Sequence, residues 1–248
     1  MYSRPRHQAI DKILKSFNKE ALRDANCYFA GGTAISLLLG EYRESVDIDF
    51  LCSSAEGYKF IRNVVSSNSL GGLVSEPIKY LRDIRTDRDK VSTFVESDGI
   101  PVKIEIVREA RIDIHGEYDK KMMLPLLSKE DLFAQKLLAN ADRGLDRQSK
   151  SRDIIDISAM LEGWGEIPDI SWNKAVNAYG NQIAYHLAKS VQLIHDRDHL
   201  RDCIIALDMD EEWLVKTPRI LKSSMKDLEN KGVIFPEIDI ELHRNKCL

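Results

Sequence analysis

The sequence predicts an α+β protein: a small mixed β-sheet packed with helices, followed by a helical C-terminal lobe. Three observations carry this. Between residues 27 and 107, short apolar runs alternate at the strand period and are separated by Gly, Ser, Asn and Asp turn material. At 10–22 and 55–65, apolar residues recur at the helical period. Beyond residue 128, the periodic stretches are helical. The expected division is therefore a sheet-bearing core over residues 1–127 and a helical lobe over 128–248.

The 248 residues suffice for one large or two small domains with a buried core. With 43% apolar and 31% charged residues, the composition is that of a soluble globular protein. No apolar run approaches the ~18–20 residues a membrane helix needs, and the first residues lack a signal-peptide apolar region. A cytoplasmic location with no membrane partner is expected. Cys27, Cys52, Cys203 and Cys247 are scattered with no Cys-x-x-Cys spacing, which predicts reduced thiols and no zinc site. The net charge of −4 argues against a uniformly basic surface but leaves room for a local basic patch or a small nucleotide substrate.

Taken in order, Arg6 to Arg23 predicts an amphipathic helix through Ile10, Ile13, Leu14, Phe17 and Leu22. Cys27 to Ala30 reads as a strand, Thr33 to Leu39 as a helix ended by Gly40, and Val46 to Leu51 as a second strand. Ser53 or Ser54 caps a helix from Ala55 to Val65. The charge-dense stretch Lys79 to Lys90 reads first as a solvated surface segment. The alternative is that Arg82, Arg85 and Arg88 grip an acidic substrate. Asp98-Gly99 joins two strands, 91–96 and 101–107, as a hairpin. Ser128 has the spacing of an N-cap with Asp131 as its reciprocal partner. Further helical periodicity covers 172–178, 183–194, 200–207 and 220–228, with a break at Gly163-Trp164-Gly165. His195 and His199, four apart, read as a surface pair rather than a metal site, and Trp213 as core.

The chemistry concentrates in Phe29 to Leu51. Asp-x-Asp occurs four times in this chain, so the motif alone says little. Only Asp47-x-Asp49 sits in strand-like alternation, with Ile48 and Phe50 turned to the core, and follows a Gly-Gly-Thr turn by one short helix. The strand period puts both carboxylates on one face, roughly 7 Å apart at the Cα atoms. Such a pair suits hard divalent cations such as Mg²⁺. Gly31 and Gly32 let the backbone approach a phosphate, Thr33 adds a hydroxyl, and the helix N-terminus adds amides and a positive dipole end. A triphosphate cradle beside a carboxylate pair is what nucleotidyl transfer requires.

Gly31-Gly32-Thr33 with Arg43-x-Ser45-x-Asp47-x-Asp49 resembles motif I of the AbiEii/AbiGii-type nucleotidyltransferases, toxins of type IV toxin–antitoxin systems within the DNA polymerase β-like superfamily. The resemblance runs over about residues 25 to 160. It implies a third carboxylate on a neighbouring strand, and Glu105 has the phase and order for it, although Asp is commoner there. Asp131 to Ala139 resembles the family's lysine-bearing helix, which implies that Lys136 grips the triphosphate. Arg152-Asp153-x-x-Asp156 resembles its Arg-Asp-x-x-Asp motif, with Asp153 as a base or an orienter of Lys136 and Asp156 as structural.

The resulting expectation is a nucleotidyltransferase that moves NMP from an NTP. Asp47, Asp49 and Glu105 hold two Mg²⁺, with Mn²⁺ as the alternative. Gly31, Gly32, Thr33, Ser45 and Lys136 bind the nucleotide. Catalysis falls to Asp47, Asp49, Glu105, Lys136 and Asp153. The resemblance implies an RNA or tRNA acceptor and a cognate antitoxin. The competing readings are a stand-alone enzyme acting on a small molecule or protein, and a non-catalytic nucleotide-binding module of the same fold.

Overall fold

The structure, a computed structural model, describes residues 2–236. It separates into two compact units that meet between Leu132 and Phe133, inside the helix Lys129–Arg143.

The first unit opens with α1 (Pro5–Lys15) and α2 (Lys19–Asp24). The sequence predicts one helix here. Asn18 breaks it in two, because its side chain accepts the Ala21 amide and caps a new helix. The strand β1 (Cys27–Ala30) follows, then α3 (Gly31–Leu38), β2 (Asp47–Cys52) and α4 (Ala55–Val64). Ser54 accepts the Gly57 amide and so is the cap of α4. The charged stretch forms two short edge strands, β3 (Lys79–Tyr80) and β4 (Arg85–Thr86). A long hairpin comes next, β5 (Lys90–Ser97) and β6 (Ile100–Arg108), and a small one, β7 (Gly116–Asp119) and β8 (Leu124–Leu127). Asp98 and Gly99 have φ of 53° and 77°, the doubly left-handed turn that matches the strand twist.

These strands form one mixed sheet in the order β3-β5-β6-β2-β1-β8-β7, with β4 also on β5. The strand β2 pairs antiparallel with β1 and parallel with β6. Its burial alternates strictly: Ile48, Phe50 and Cys52 are buried and Asp47, Asp49 and Leu51 half-buried. The buried side joins Ile10, Leu14, Phe29, Ile61, Ile104 and Ile106 in the unit's core. Cys27, Cys52 and Cys203 are buried free thiols, and Cys247 lies outside the described residues.

The loop from α3 to β2 is clasped to α1. Glu41 accepts hydrogen bonds from the amides of Ser3 and Arg4 at 2.6 and 3.1 Å, so it caps α1 from outside the helix. His7, wholly buried, lies 2.9 Å from Glu41 through Nδ1 and accepts the Ser45 amide through Nε2 at 3.0 Å. Accepting at Nε2 requires the Nδ1–H tautomer, which donates to Glu41. Burial of Glu41 pushes its carboxyl up, but the amides of Ser3 and Arg4, the Ser3 hydroxyl and His7 outweigh it and hold the pKa at about 2. Burial lowers that of His7, against the pull of Glu41.

The second unit is helical beyond α5 (Lys129–Arg143): α6 (Arg152–Trp164), α7 (Asp169–Tyr179), α8 (Gln182–Ile194), α9 (Arg197–Ala206) and α10 (Trp213–Asn230). Trp213 is buried, as its sequence context predicts. Ser128 accepts the Asp131 amide as expected of an N-cap, but the Asp131 carboxylate accepts the His115 amide at 2.7 Å and ties the end of the sheet to the start of α5. Among the described residues, no helix is long and apolar enough to cross a membrane.

The clasp has a pH signature. A histidine whose folded pKa lies below the ordinary ~6.5 stabilises the fold fully above that pH and loses the contribution as pH falls. Thermal melts followed by circular dichroism should therefore show a midpoint that falls as the pH drops below about 6.5. In His7→Ala the midpoint should already be lower at neutral pH, by the equivalent of about 1–3 kcal/mol for the orphaned Ser45 amide. Its further fall as the pH drops should be smaller.

Candidate active site

One transverse row crosses the half-buried face of the sheet. Ala30 pairs with Asp49, Asp49 with Glu105, and Glu105 with Ser92. The neighbouring row carries Asp47, Lys103 and Phe94. Asp47 and Asp49 thus share a face with Glu105 one strand away, as the sequence predicts.

Gly31 sits at the near end of this row. Its φ is +76°, and a Cβ there would lie 2.3 Å from Asp49 Oδ2. Only glycine lets the first turn of α3 come this close to the carboxylate. Ala30, the N-cap, offers no side-chain cap to that turn. Gly32 follows it, half-buried.

Thr33 and Ser45 occupy a different place from the one the phosphate cradle suggests. Both are buried. The Thr33 hydroxyl donates to the Asp47 carbonyl and hydrogen-bonds Ser45 Oγ. They buckle the first turn of α3 to the start of β2. The next turn is tied likewise, since Ser36 donates to the Arg43 carbonyl at 2.7 Å.

The Glu105 carboxylate lies 2.9 Å from Lys103 Nζ and 3.2 Å from Lys90 Nζ. Burial pushes its pKa up, but the two ammonium groups outweigh this and lower it, so it is ionised at neutral pH. Among the described residues, no group of three or more His, Cys, Asp or Glu side chains converges as a ligand set. Two carboxylates on one face, both oxygen donors, fit Mg²⁺ nonetheless. That ion usually takes only one or two protein carboxylates and completes its shell with water and substrate phosphates.

In the second unit, Lys136 does not snorkel to water. It is 6% exposed, with Nζ 2.9 Å from Asp153 and 2.6 Å from Asp156. Arg143 adds a fork to Asp153, Nε to Oδ2 at 2.7 Å and Nη2 to Oδ1 at 3.0 Å. Burial raises the Asp153 pKa, but Lys136 and Arg143 overcome it and hold the carboxyl well below the usual range. A carboxylate held ionised by two cations orients a lysine well and accepts a proton poorly. Asp156 is wholly buried.

His199 departs from the expected surface pair. It is 7% exposed, and Nε2 lies 2.8 Å from the hydroxyl of Ser151, the residue that precedes α6 with φ 48°. His195 turns Nδ1 to the Val191 carbonyl. The i, i+4 spacing suggests one helix, but a new helix starts between them: His195 is the C-cap of α8, and His199 lies in α9, which turns it inward. Sequence reasoning also missed His7, Glu41, Lys90 and Arg143. Arg143 follows Lys136 by two helical turns and could have been read as sharing its face.

The family model described as "Nucleotidyl transferase AbiEii toxin, Type IV TA system" matches residues 12–217. The chain belongs to the AbiEii family. The match reaches from α1 into α10, beyond the stretch over which the motifs alone resemble the family, and includes helices that carry no recognised motif. Membership brings the chain into the DNA polymerase β-like superfamily. Two solved structures from Helicobacter pylori share the fold. One, a candidate nucleotidyltransferase, has 18% identity and a TM-score of 0.53 over 92% of this chain and 99% of its own. The other, JHP933, has 18% identity and a TM-score of 0.51 over 94% and 97%. No curated protein gives a significant match.

Removing the cation from the buried cluster should be costly. Lys136→Met leaves Asp153 and Asp156 without it, and urea denaturation should show a loss of about 3–5 kcal/mol. Lys136→Met/Asp156→Asn should recover part of the loss, because one of the two buried charges goes with the lysine.

Proposed function

We propose that the chain transfers NMP from an NTP to an RNA acceptor, tRNA in the first instance, as the toxin of a toxin–antitoxin pair. The observation that carries the chemistry is the close approach of Gly31 to Asp49, which sets a helix N-terminus beside a carboxylate pair on a common face. Family membership supports the toxin role.

The residues divide the work. Asp47 and Asp49 hold Mg²⁺ or Mn²⁺, with Glu105 beside them as the third carboxylate. The cations would lower the pKa of the acceptor hydroxyl and neutralise the triphosphate. The backbone of Gly31 and Gly32 receives phosphate oxygens through amides and the dipole of α3. Thr33 and Ser45 hold that turn in place rather than touch the nucleotide. Lys136 is assigned to the triphosphate by the family's lysine-bearing helix, and Asp153 acts as its orienter. Two of the three Nζ hydrogens serve Asp153 and Asp156, so the reading gives the third to a phosphate oxygen. In-line phosphoryl transfer depends mainly on positioning and electrostatics, so this set is chemically sufficient.

Labelled NTPs, each incubated with total RNA and Mg²⁺, test the reading. Label should enter RNA with the unmutated protein and fall to background in Asp47→Ala/Asp49→Ala or with excess EDTA, returning when Mg²⁺ is restored. Glu105→Gln should slow transfer in the same assay. Gly31→Ala should lose transfer as well, since its Cβ would displace the Asp49 carboxylate. Equal labelling by the double alanine variant would overturn the assignment.

A further inference from the structure

The transverse row does not stop at Ser92. It continues to Arg85 on β4, so Arg85, Ser92, Glu105 and Asp49 lie in register across four strands. At about 4.8 Å per strand, the distance from Asp49 to Arg85 is roughly 14 Å at the Cα atoms. One side of Asp49 leads to the Gly31 turn. The other leads to a cleft of about 230 Å³ in which Arg82, Arg85, Lys90 and Lys103 face only two carboxylates, Asp83 and Glu105. Lys90 and Lys103 share Glu105, and Arg82 lies over the Phe94 ring at 4.6 Å.

A second cleft of about 450 Å³ adjoins the same hairpin. Lys59, Arg62, Arg88 and Arg108 line it, with no carboxylate in its wall. Asp89, on the rim, reaches Arg108 at 3.6 Å and Arg88 at 3.9 Å.

The turn between the clefts is locked. Asp87 Oδ1 accepts the amides of Asp89 and Lys90 at 2.9 and 2.7 Å, and the Asp87 amide donates to the Lys90 carbonyl. The backbone thereby consumes Asp87, one of the two carboxylates at the tip; the other, Asp89, pairs with Arg88 and Arg108, and Arg88 is presented outward with 89% of its side chain exposed. A chain of net charge −4 thus gathers eight cations around one rigid hairpin that begins at its candidate catalytic row.

We infer that these two clefts form a track for the sugar-phosphate backbone of the acceptor RNA, with the strand crossing the 85–90 hairpin and ending at Glu105. The inference rests on the proposed function and adds the path of the acceptor. The first cleft is smaller than the ~300–1,000 Å³ usual for a drug-sized ligand and fits a phosphate with its sugar. Two such clefts on either side of one hairpin suit a polyanion, since a small acceptor would fill only one. Cations along a groove are the feature that sequence-independent strand binding requires.

The test separates binding from transfer. Fluorescent bulk tRNA is titrated with the full-length protein, without NTP, from about 50 to 250 mM KCl. The Arg82→Glu/Arg85→Glu and Arg62→Glu/Arg88→Glu variants, all at exposed positions, are compared with Lys222→Glu/Lys226→Glu on α10, after melts confirm that each is folded. Each cleft variant should weaken binding at least tenfold and flatten the slope of log K against log salt by about 2, one unit per lost phosphate contact. The α10 variant should bind as the unmutated protein does. A loss confined to one cleft overturns the track in favour of a single-phosphate acceptor, and no loss in either overturns it altogether. Asp47→Ala/Asp49→Ala should still bind tRNA. If the unmutated protein binds through the clefts yet labels no RNA, it is the transfer reading that fails.

Discussion

The register between β2 and β6 governs the whole candidate site. These parallel strands pair so that Asp49 stands beside Glu105. A slip of one residue would turn Glu105 to the core and Ile104 or Ile106 to the exposed face. The slip is prevented by what lies on the other side. Ile48, Phe50, Val102, Ile104 and Ile106 are all buried in one core, and moving them would expose every one. The apolar face of the sheet thereby sets the spacing of carboxylates that it does not touch.

Around this row, polar groups that resemble catalytic ones serve as fasteners. Thr33 and Ser45 spend their hydroxyls joining α3 to β2, and His7 with Glu41 secures the loop between them. Their worth is in rigidity. A Gly-Gly turn is entropically free in the unfolded chain, so holding it against Asp49 needs contacts on both sides. In the second unit the buried cluster of Lys136, Asp153, Asp156 and Arg143 works similarly. Burial alone would raise the Asp153 pKa, and the cations more than offset it and keep it charged. A lysine held in this way has few conformations open to it.

Electrostatics divide the first unit's sheet face around its centre. The carboxylate pair lies between the N-terminus of α3 and the basic cleft at β4, β5 and β6. Both flanks are electropositive, whereas the chain as a whole is acidic. Over distances beyond about 8–10 Å, salt screens the net charge, so local lysines and arginines set the potential at the row.

The sequence by itself determined the fold class, the alternation that exposes Asp47 and Asp49, the Asp98-Gly99 hairpin, and the helices bearing Lys136 and Asp153. All of these follow from local period, turn chemistry and motif order. The break at Asn18 was also a local signal, though a periodic run from Ile10 to Leu22 obscured it. What only the tertiary structure decided depends on partners far along the chain. His7 meets Ser45, Asp131 turns to His115, Lys90 reaches Glu105, and His199 packs inward against Ser151. The charged stretch from 79 to 90 shows the distinction best. Its composition reads as solvated surface, and its arginines are indeed exposed. Its register beside Glu105 comes from pairing with β5, a hydrogen-bond ladder that side-chain pattern cannot specify when neither face of a short strand is buried.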